Sequence, residues 1–151
     1  MPVGIGYDSH RFEEGRRLVL GGVEIDHPRG LAGHSDADVL THAVIDAVLG
    51  AAGAGDIGTL FPDDDERWRD ADSIDLLRTA VGTIGGRIVN VDATVICEEP
   101  RLGPHRGEME RILAEATSAR VSVKATSNEG MGWTGRGEGI ACIAVAFIDG
   151  D

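Results

Sequence analysis

Lysine is nearly missing from this chain: Lys124 is the only one among 14 basic residues, and the rest are arginine. Against them stand 26 aspartates and glutamates, for a formal charge of −12. That balance excludes nucleic-acid binding through a generally basic surface, and it excludes electrostatic attachment to anionic lipid. A GC-rich genome would trade lysine for arginine but would not raise the acidic count. The two together fit a salt-rich cytoplasm, where self-repulsion is screened. Aromatics are also scarce, at 4%, so the core must be built from Val, Ile, Leu and Ala. No apolar run approaches the ~18 residues of a membrane span. Met1 to Gly6 lacks the basic and then apolar pattern of a secretory signal, and the expected location is the cytoplasm. The two cysteines, Cys97 and Cys142, are far apart and form no CxxC pair. They read as reduced core thiols rather than a disulfide or a thiolate metal site.

What is present suffices for one ordinary core. The chain has 151 residues, 42% of them hydrophobic, with no linker and no repeat, so residues 1–151 are read as a single domain. Val3 to Asp8 reads as a first strand. Arg17 to Leu20 and Val23 to Ile25 flank Gly21-Gly22, a strong hairpin signal. A helix is expected after Ser35, with Asp38 completing an approximate capping box and Val39, Ala43, Val44, Ala47, Val48 and Ala51 at helical spacing. Gly53 and Gly55 end it. A second helix is expected over Ser73 to Ile84, capped by Asp72 or Ser73, and a third from Pro104 to about Ser118. Ile88 to Glu98, Val121 to Ser127 and Ile140 to Ile148 read as strands. Between the last two, five glycines from Gly130 to Gly139 suggest either a flexible loop or backbone passing close to a ligand or another chain. The order of elements predicts an α+β fold: a two-layer sandwich of a mixed β-sheet with helices on one face.

Asp8 and His10 sit two apart in a strand and therefore project to one face. His42, near the start of the first long helix, can supply a third donor from rigid backbone. Two histidines and one aspartate suit zinc, and three protein ligands leave a fourth tetrahedral position open. A purely structural role for each is the competing reading. His34 and Ser35 sit at a helix start, where free amides can bind an anion, although Asp36 and Asp38 oppose this. The alternative there is a plain capping box. Asp56-Ile57-Gly58 and Phe61-Pro62-Asp63-Asp64-Asp65 form an acidic, turn-rich segment, suited either to solvent or to a polyol. Glu129 is a candidate ligand for a hard cation such as magnesium. A phosphate-binding P-loop, a dinucleotide G-x-G-x-x-G and a nucleophile elbow are all missing. Chemistry must then rest on metal and positioning, which suits phosphoryl transfer.

Taken together, Gly4-x-Gly6-x-Asp8-x-His10-x-Phe12, Leu20-Gly21-Gly22-Val23, Gly33-His34-Ser35-Asp36-Ala37-Asp38 with His42, Gly55-Asp56-Ile57-Gly58 with Phe61-Pro62-Asp63, Asn90-Val91-Asp92, Pro104-His105, Val123-Lys124-Ala125-Thr126 and Gly135-Arg136-Gly137-Glu138-Gly139-Ile140-Ala141 closely resemble the 2-C-methyl-D-erythritol 2,4-cyclodiphosphate synthase family. The likeness spans nearly the whole chain in order. It implies a homotrimer with active sites between neighbouring subunits, and zinc held by Asp8, His10 and His42. The implied substrate is 4-diphosphocytidyl-methylerythritol 2-phosphate, whose own 2-phosphate attacks the β-phosphorus, expels CMP and closes a ring. His34, Ser35 and Ser127 would stabilise charge on phosphorus. Glu129 would hold a second divalent cation, Mg2+ or Mn2+, at the diphosphate. Asp56, Gly58 and Asp63 would match the segment around the methylerythritol, and Asp8, Ser9, His10, His34, Ser35, Ile57, Phe61, Pro62, Asp64 and Asp65 would also bind substrate. Cys97, Glu98, Glu99, Pro100, Arg101, Leu102 and Gly103 would read the cytidine, with Thr126, Ser127, Asn128, Glu129, Trp133 and Arg136 completing the contacts. Ser127 and Asn128 replace threonines usual in that family, Trp133 a phenylalanine and Arg101 a lysine. Glu98 and Glu99 make the nucleotide loop unusually acidic. Two other functions share the constellation: a zinc-dependent phosphohydrolase, and a non-catalytic trimer binding an isoprenoid diphosphate on its axis.

Overall fold

The computed structural model describes residues 1–150. Seven strands and five α-helices follow in the order β1 (Val3–Glu14), β2 (Leu18–Leu20), β3 (Val23–Ile25), β4 (Arg29–Leu31), α1 (Val39–Ala51), α2 (Ile57–Leu60), α3 (Ser73–Thr83), β5 (Arg87–Ile96), α4 (Arg106–Thr117), β6 (Arg120–Thr126), α5 (Gly132–Gly135) and β7 (Gly139–Asp149). The architecture is mixed α+β. Five strands form one sheet in the order β4-β1-β7-β5-β6, antiparallel except for the parallel β5–β6 pair. The hairpin β2–β3 is separate, and its turn glycines adopt φ of +57° and +76°, the left-handed conformation that glycine reaches without penalty.

One sheet face carries the helices. α1 lies over β1 and β7, α4 packs against β6, and α3 sits between α1 and α4. Along β7 the inward Ile140, Cys142, Ala144, Ala146 and Ile148 are buried, whereas Ile143 and Val145 face out. The approach of α1 to β1 is unusually close because β1 presents Gly4 and Gly6. A β-carbon on Gly4 would lie 2.0 Å from the Ala47 carbonyl oxygen, and one on Gly6 1.9 Å from that of Ala43. Two missing side chains thus set the distance between the helix and strand that carry the candidate metal ligands.

α1 is buried on nearly every side, so apolar periodicity locates it well but its start poorly. The helix begins at Val39, and its cap is Asp38 rather than Ser35. The Asp38 carboxylate accepts from the Thr41 amide at 3.0 Å and the Thr41 hydroxyl at 2.8 Å. Ser35 instead accepts from the Ala37 amide at 3.2 Å. Of the first-turn amides of α1, that of Thr41 is therefore taken by a carboxylate.

Other boundaries differ by smaller margins. β1 continues past Asp8 to Glu14 because its far end gains a partner, β4, with Phe12 opposite Leu31. α3 ends at Thr83, β5 at Ile96 and β6 at Thr126. Residues Gly103–His105 form a 3₁₀ turn before α4. The acidic segment, expected as loop, folds into α2 and a 3₁₀ turn over Glu66–Trp68, capped by Asp56 and Asp65. In the glycine-rich stretch, two glycines sit against neighbouring backbone. A β-carbon on Gly135 would meet the Gly130 carbonyl carbon at 2.2 Å, and one on Gly139 the His10 carbonyl oxygen at 2.3 Å. Both approaches are to this chain's own backbone.

Candidate metal centre and adjoining cavity

β1 and α1 bring Asp8, His10 and His42 together. Asp8 Oδ2 lies 2.8 Å from His10 Nε2 and 3.2 Å from His42 Nδ1, and the two ring nitrogens are 3.3 Å apart. All three donor atoms fall within 4.8 Å of one another, the one such group of three or more among the described residues. Each imidazole is oriented from behind. The carbonyl of Ala32 can only accept, so His10 Nδ1–H donates to it at 2.7 Å, which leaves the Nε2 lone pair facing the group. His42 Nε2 lies 2.7 Å from the Ser73 hydroxyl, and its Nδ1 faces inward. Two imidazole lone pairs and one carboxylate converging on a point fit a divalent cation such as zinc.

The electrostatics agree. Burial opposes ionisation of Asp8, but hydrogen bonds and charge from His10 and His42 outweigh it and hold the carboxyl down at about 2. Burial likewise opposes protonation of His10, yet the Asp8 hydrogen bond lifts its pKa above the ordinary imidazole value. The carboxylate is ionised and ready to ligate at neutral pH.

A cavity of about 450 Å³ opens beside the triad. Asp8, His10, His34, Ser35, Ile57, Gly58, Phe61, Pro62, Asp63 and Asp64 line it, together with His42. His34 is held there by its Nε2–H, which donates to the Asp65 carbonyl at 3.0 Å. Trp68 and Leu76 also line it and were not anticipated. Trp68 packs edge-on against Phe61, with ring centres 5.0 Å apart. Its indole N–H is buried without a partner among the described residues. A tryptophan amid acidic turns was the signal available for it in the sequence.

Several predicted site residues lie elsewhere. Asp56 caps α2 through Thr59, and Asp65 pairs with Arg67 at 2.6 Å; neither is among the cavity-lining residues. Ser9 alternates to the other face of β1 and lines a second depression with Trp133. Arg136 borders a third with Glu98 and Glu99. The β-ladders explain the separation. Ser9 pairs with Ala141, Ala141 with Ile96, and Ile96 with Thr126. Thr126 therefore sits at the same end of the sheet as the triad but three strands away, roughly 14 Å at ~4.8 Å per strand. The Cys97–Gly103 and Ser127–Glu129 loops leave from that far side. They are joined to each other: Glu98 Oε1 accepts the Asn128 amide at 2.8 Å, and Cys97 N–H donates to the Thr126 carbonyl at 3.0 Å. One chain alone does not bring these loops to the triad.

Known proteins are similar to this chain in sequence and fold. The YgbB family model matches residues 1–149. The 2-C-methyl-D-erythritol 2,4-cyclodiphosphate synthase of Rubrobacter xylanophilus is 59% identical, over 97% of this chain and 94% of its own. A solved 2C-methyl-D-erythritol-2,4-cyclodiphosphate synthase, in its form bound to CDP, superimposes with a TM-score of 0.87 at 38% identity, covering 97% of this chain and 99% of that one. The bifunctional IspDF of Campylobacter jejuni gives 0.91 at 42% identity over 96% of this chain, which spans 41% of that longer protein. The chain belongs to the YgbB family, alongside these cyclodiphosphate synthases.

Proposed function

We propose that the chain is a cyclising lyase: it converts 4-diphosphocytidyl-2-C-methyl-D-erythritol 2-phosphate to 2-C-methyl-D-erythritol 2,4-cyclodiphosphate and releases CMP, in non-mevalonate isoprenoid biosynthesis. The observation that carries this reading is the Asp8–His10–His42 group, with its lone pairs turned inward, at the mouth of a cavity lined by Ile57, Gly58, Asp63 and Asp64. The names of its relatives support it.

The chemistry asks little of side-chain nucleophiles. A phosphate monoester is already anionic near neutral pH, so the substrate's 2-phosphate oxygen forms the new bond to the β-phosphorus while the bond to the CMP oxygen breaks. The protein must align two anions and offset their repulsion. Zinc held by Asp8, His10 and His42 would supply Lewis acidity and a template for phosphate. His34 and Ser35, fixed at the cavity wall, and Ser127 hold charge developing on phosphorus. Asp63 and Asp64 accept from the methylerythritol hydroxyls, and Asp56, outside the cavity lining, caps α2. Glu129, exposed at the turn after β6, would hold Mg2+ or Mn2+ at the diphosphate.

The same reading requires a neighbour. Cys97–Gly103 reads the cytidine and Thr126–Glu129 meets the diphosphate, but both lie across the sheet from the triad. A homotrimer supplies them from the adjacent subunit. Its interface is the uncovered sheet face, where Ile5 pairs with Val145 and Tyr7 with Ile143, all exposed. The test is incubation of zinc-loaded protein with the diphosphocytidyl substrate. CMP and the cyclic diphosphate are expected in equal amounts, and His42→Ala should lose both zinc and turnover. Full zinc occupancy in that variant removes His42 from the site.

A further inference from the structure

Behind His42 lies a chain of polar groups, Ser73 buried and Asp36 half-buried, that the proposed reaction does not use. Ser73 opens α3 and is fully buried. Its hydroxyl sits between His42 Nε2, at 2.7 Å, and Asp36 Oδ1, with which it makes a very short contact. Asp36 is a carboxylate surrounded by donors. Its Oδ2 accepts the Ser73 amide at 3.0 Å, and its Oδ1 accepts the Asp38 amide at 3.1 Å. An acceptor-only group at the end of the chain sets the direction of every bond before it. Ser73 must donate to Asp36, so it has only its lone pairs left for His42. His42 Nε2 must then carry the hydrogen and Nδ1 the free lone pair. Ser35 Oγ lies farther from Nε2, at 3.2 Å, and is not needed to fix the ring.

We propose that Asp36 and Ser73 are positioning residues for the metal centre: a carboxylate–hydroxyl relay that locks His42 in the tautomer whose Nδ1 can ligate. The backbone keeps the relay in register. Asp36 N–H donates to the Ala71 carbonyl at 3.1 Å, and Asp70 N–H to the His34 carbonyl at 2.9 Å. The turn before α1 is thereby clamped to the turn before α3, and Asp36 is held opposite Ser73. The proposal rests on the reading of Asp8, His10 and His42 as zinc ligands. The Asp36 carboxylate is occupied by three donors, the Ser73 hydroxyl, the Ser73 amide and the Asp38 amide.

The experiment is zinc competition with a chromogenic chelator on the full chain, together with nitrogen-15 NMR of the imidazoles in zinc-loaded protein. Wild type should bind zinc with His42 Nε2–H protected from exchange and Nδ1 shifted by the metal. Ser73→Ala should weaken zinc affinity roughly 10- to 100-fold, the usual range for losing such an outer partner, and Asp36→Asn should do likewise. In both, the His42 resonances should change while those of His10, whose Nδ1–H is held by Ala32, stay put. General loss of stability would move both histidines, and a melting scan reports it separately; Asp36→Asn, which keeps the shape of the side chain, serves if Ser73→Ala does not fold. Wild-type affinity and unchanged His42 resonances in both variants overturn the relay. Failure of wild type itself to bind zinc would instead overturn the metal centre.

Discussion

The carboxylate of Asp38 and the backbone amide of Gly21 meet at 2.9 Å, with the Gly22 amide on the other oxygen at 2.8 Å. One buried side chain therefore caps α1 and also ties down the β2–β3 turn, 17 residues away in sequence. The helix that presents His42 is anchored at its first turn to the hairpin. Asp38→Ala removes the cap and leaves buried amides without an acceptor. The variant should lose roughly 2–4 kcal/mol of stability, read from urea unfolding. A loss under about 0.5 kcal/mol would show that water replaces the carboxylate.

Glycine substitutions separate close packing from conformational freedom. Gly6→Ala places a β-carbon against the Ala43 carbonyl, and α1 must shift away from β1. The soluble yield should fall sharply, and surviving protein should have lost zinc affinity. Gly82, in the last turn of α3, has open space around it. Gly82→Ala should stabilise by about 0.5–1 kcal/mol through helix propensity. Equal effects from the two variants would refute the close-approach account of β1.

Much of this was legible in the sequence, for identifiable reasons. Gly21-Gly22 marked the hairpin because its turn demands positive φ. Asp8-x-His10 marked a shared face because strands alternate with a period of two. The start of α1 was misread because Ser35 and Asp38 are both good caps, and only the tertiary bond from Gly21 decides between them. β4 was missed because three residues carry too little pattern, and its pairing with β1 is set by tertiary contacts. Trp68 was missed because its role depends on Phe61, which lies across a turn. The separation of Ser127 and Glu129 from the triad follows from strand order, which local pattern does not encode.

The exposed strip on β1 and β7 leads to a prediction about assembly. Ile5→Glu places a charge at the centre of the proposed interface and should convert the proposed trimer to monomer by analytical ultracentrifugation. Three chains each carrying −12 repel one another in dilute buffer. The wild-type melting temperature should therefore rise in molar potassium chloride by at least about 2–4 °C, the equivalent of ~1 kcal/mol. A flat response would make genome composition the better account of the arginine and acid bias.

The central claim is that the substrate's own phosphate, and not water, attacks phosphorus. Asp8 and His10 are engaged with each other and with His42, so the triad itself offers no free base to activate water. Turnover in oxygen-18 water is the most direct measurement. The account predicts CMP and a ring in equal amounts, no label in either, and two phosphorus nuclei coupled to each other by NMR. Label entering a phosphate, with an open-chain product accumulating, would make the site a hydrolase and contradict it.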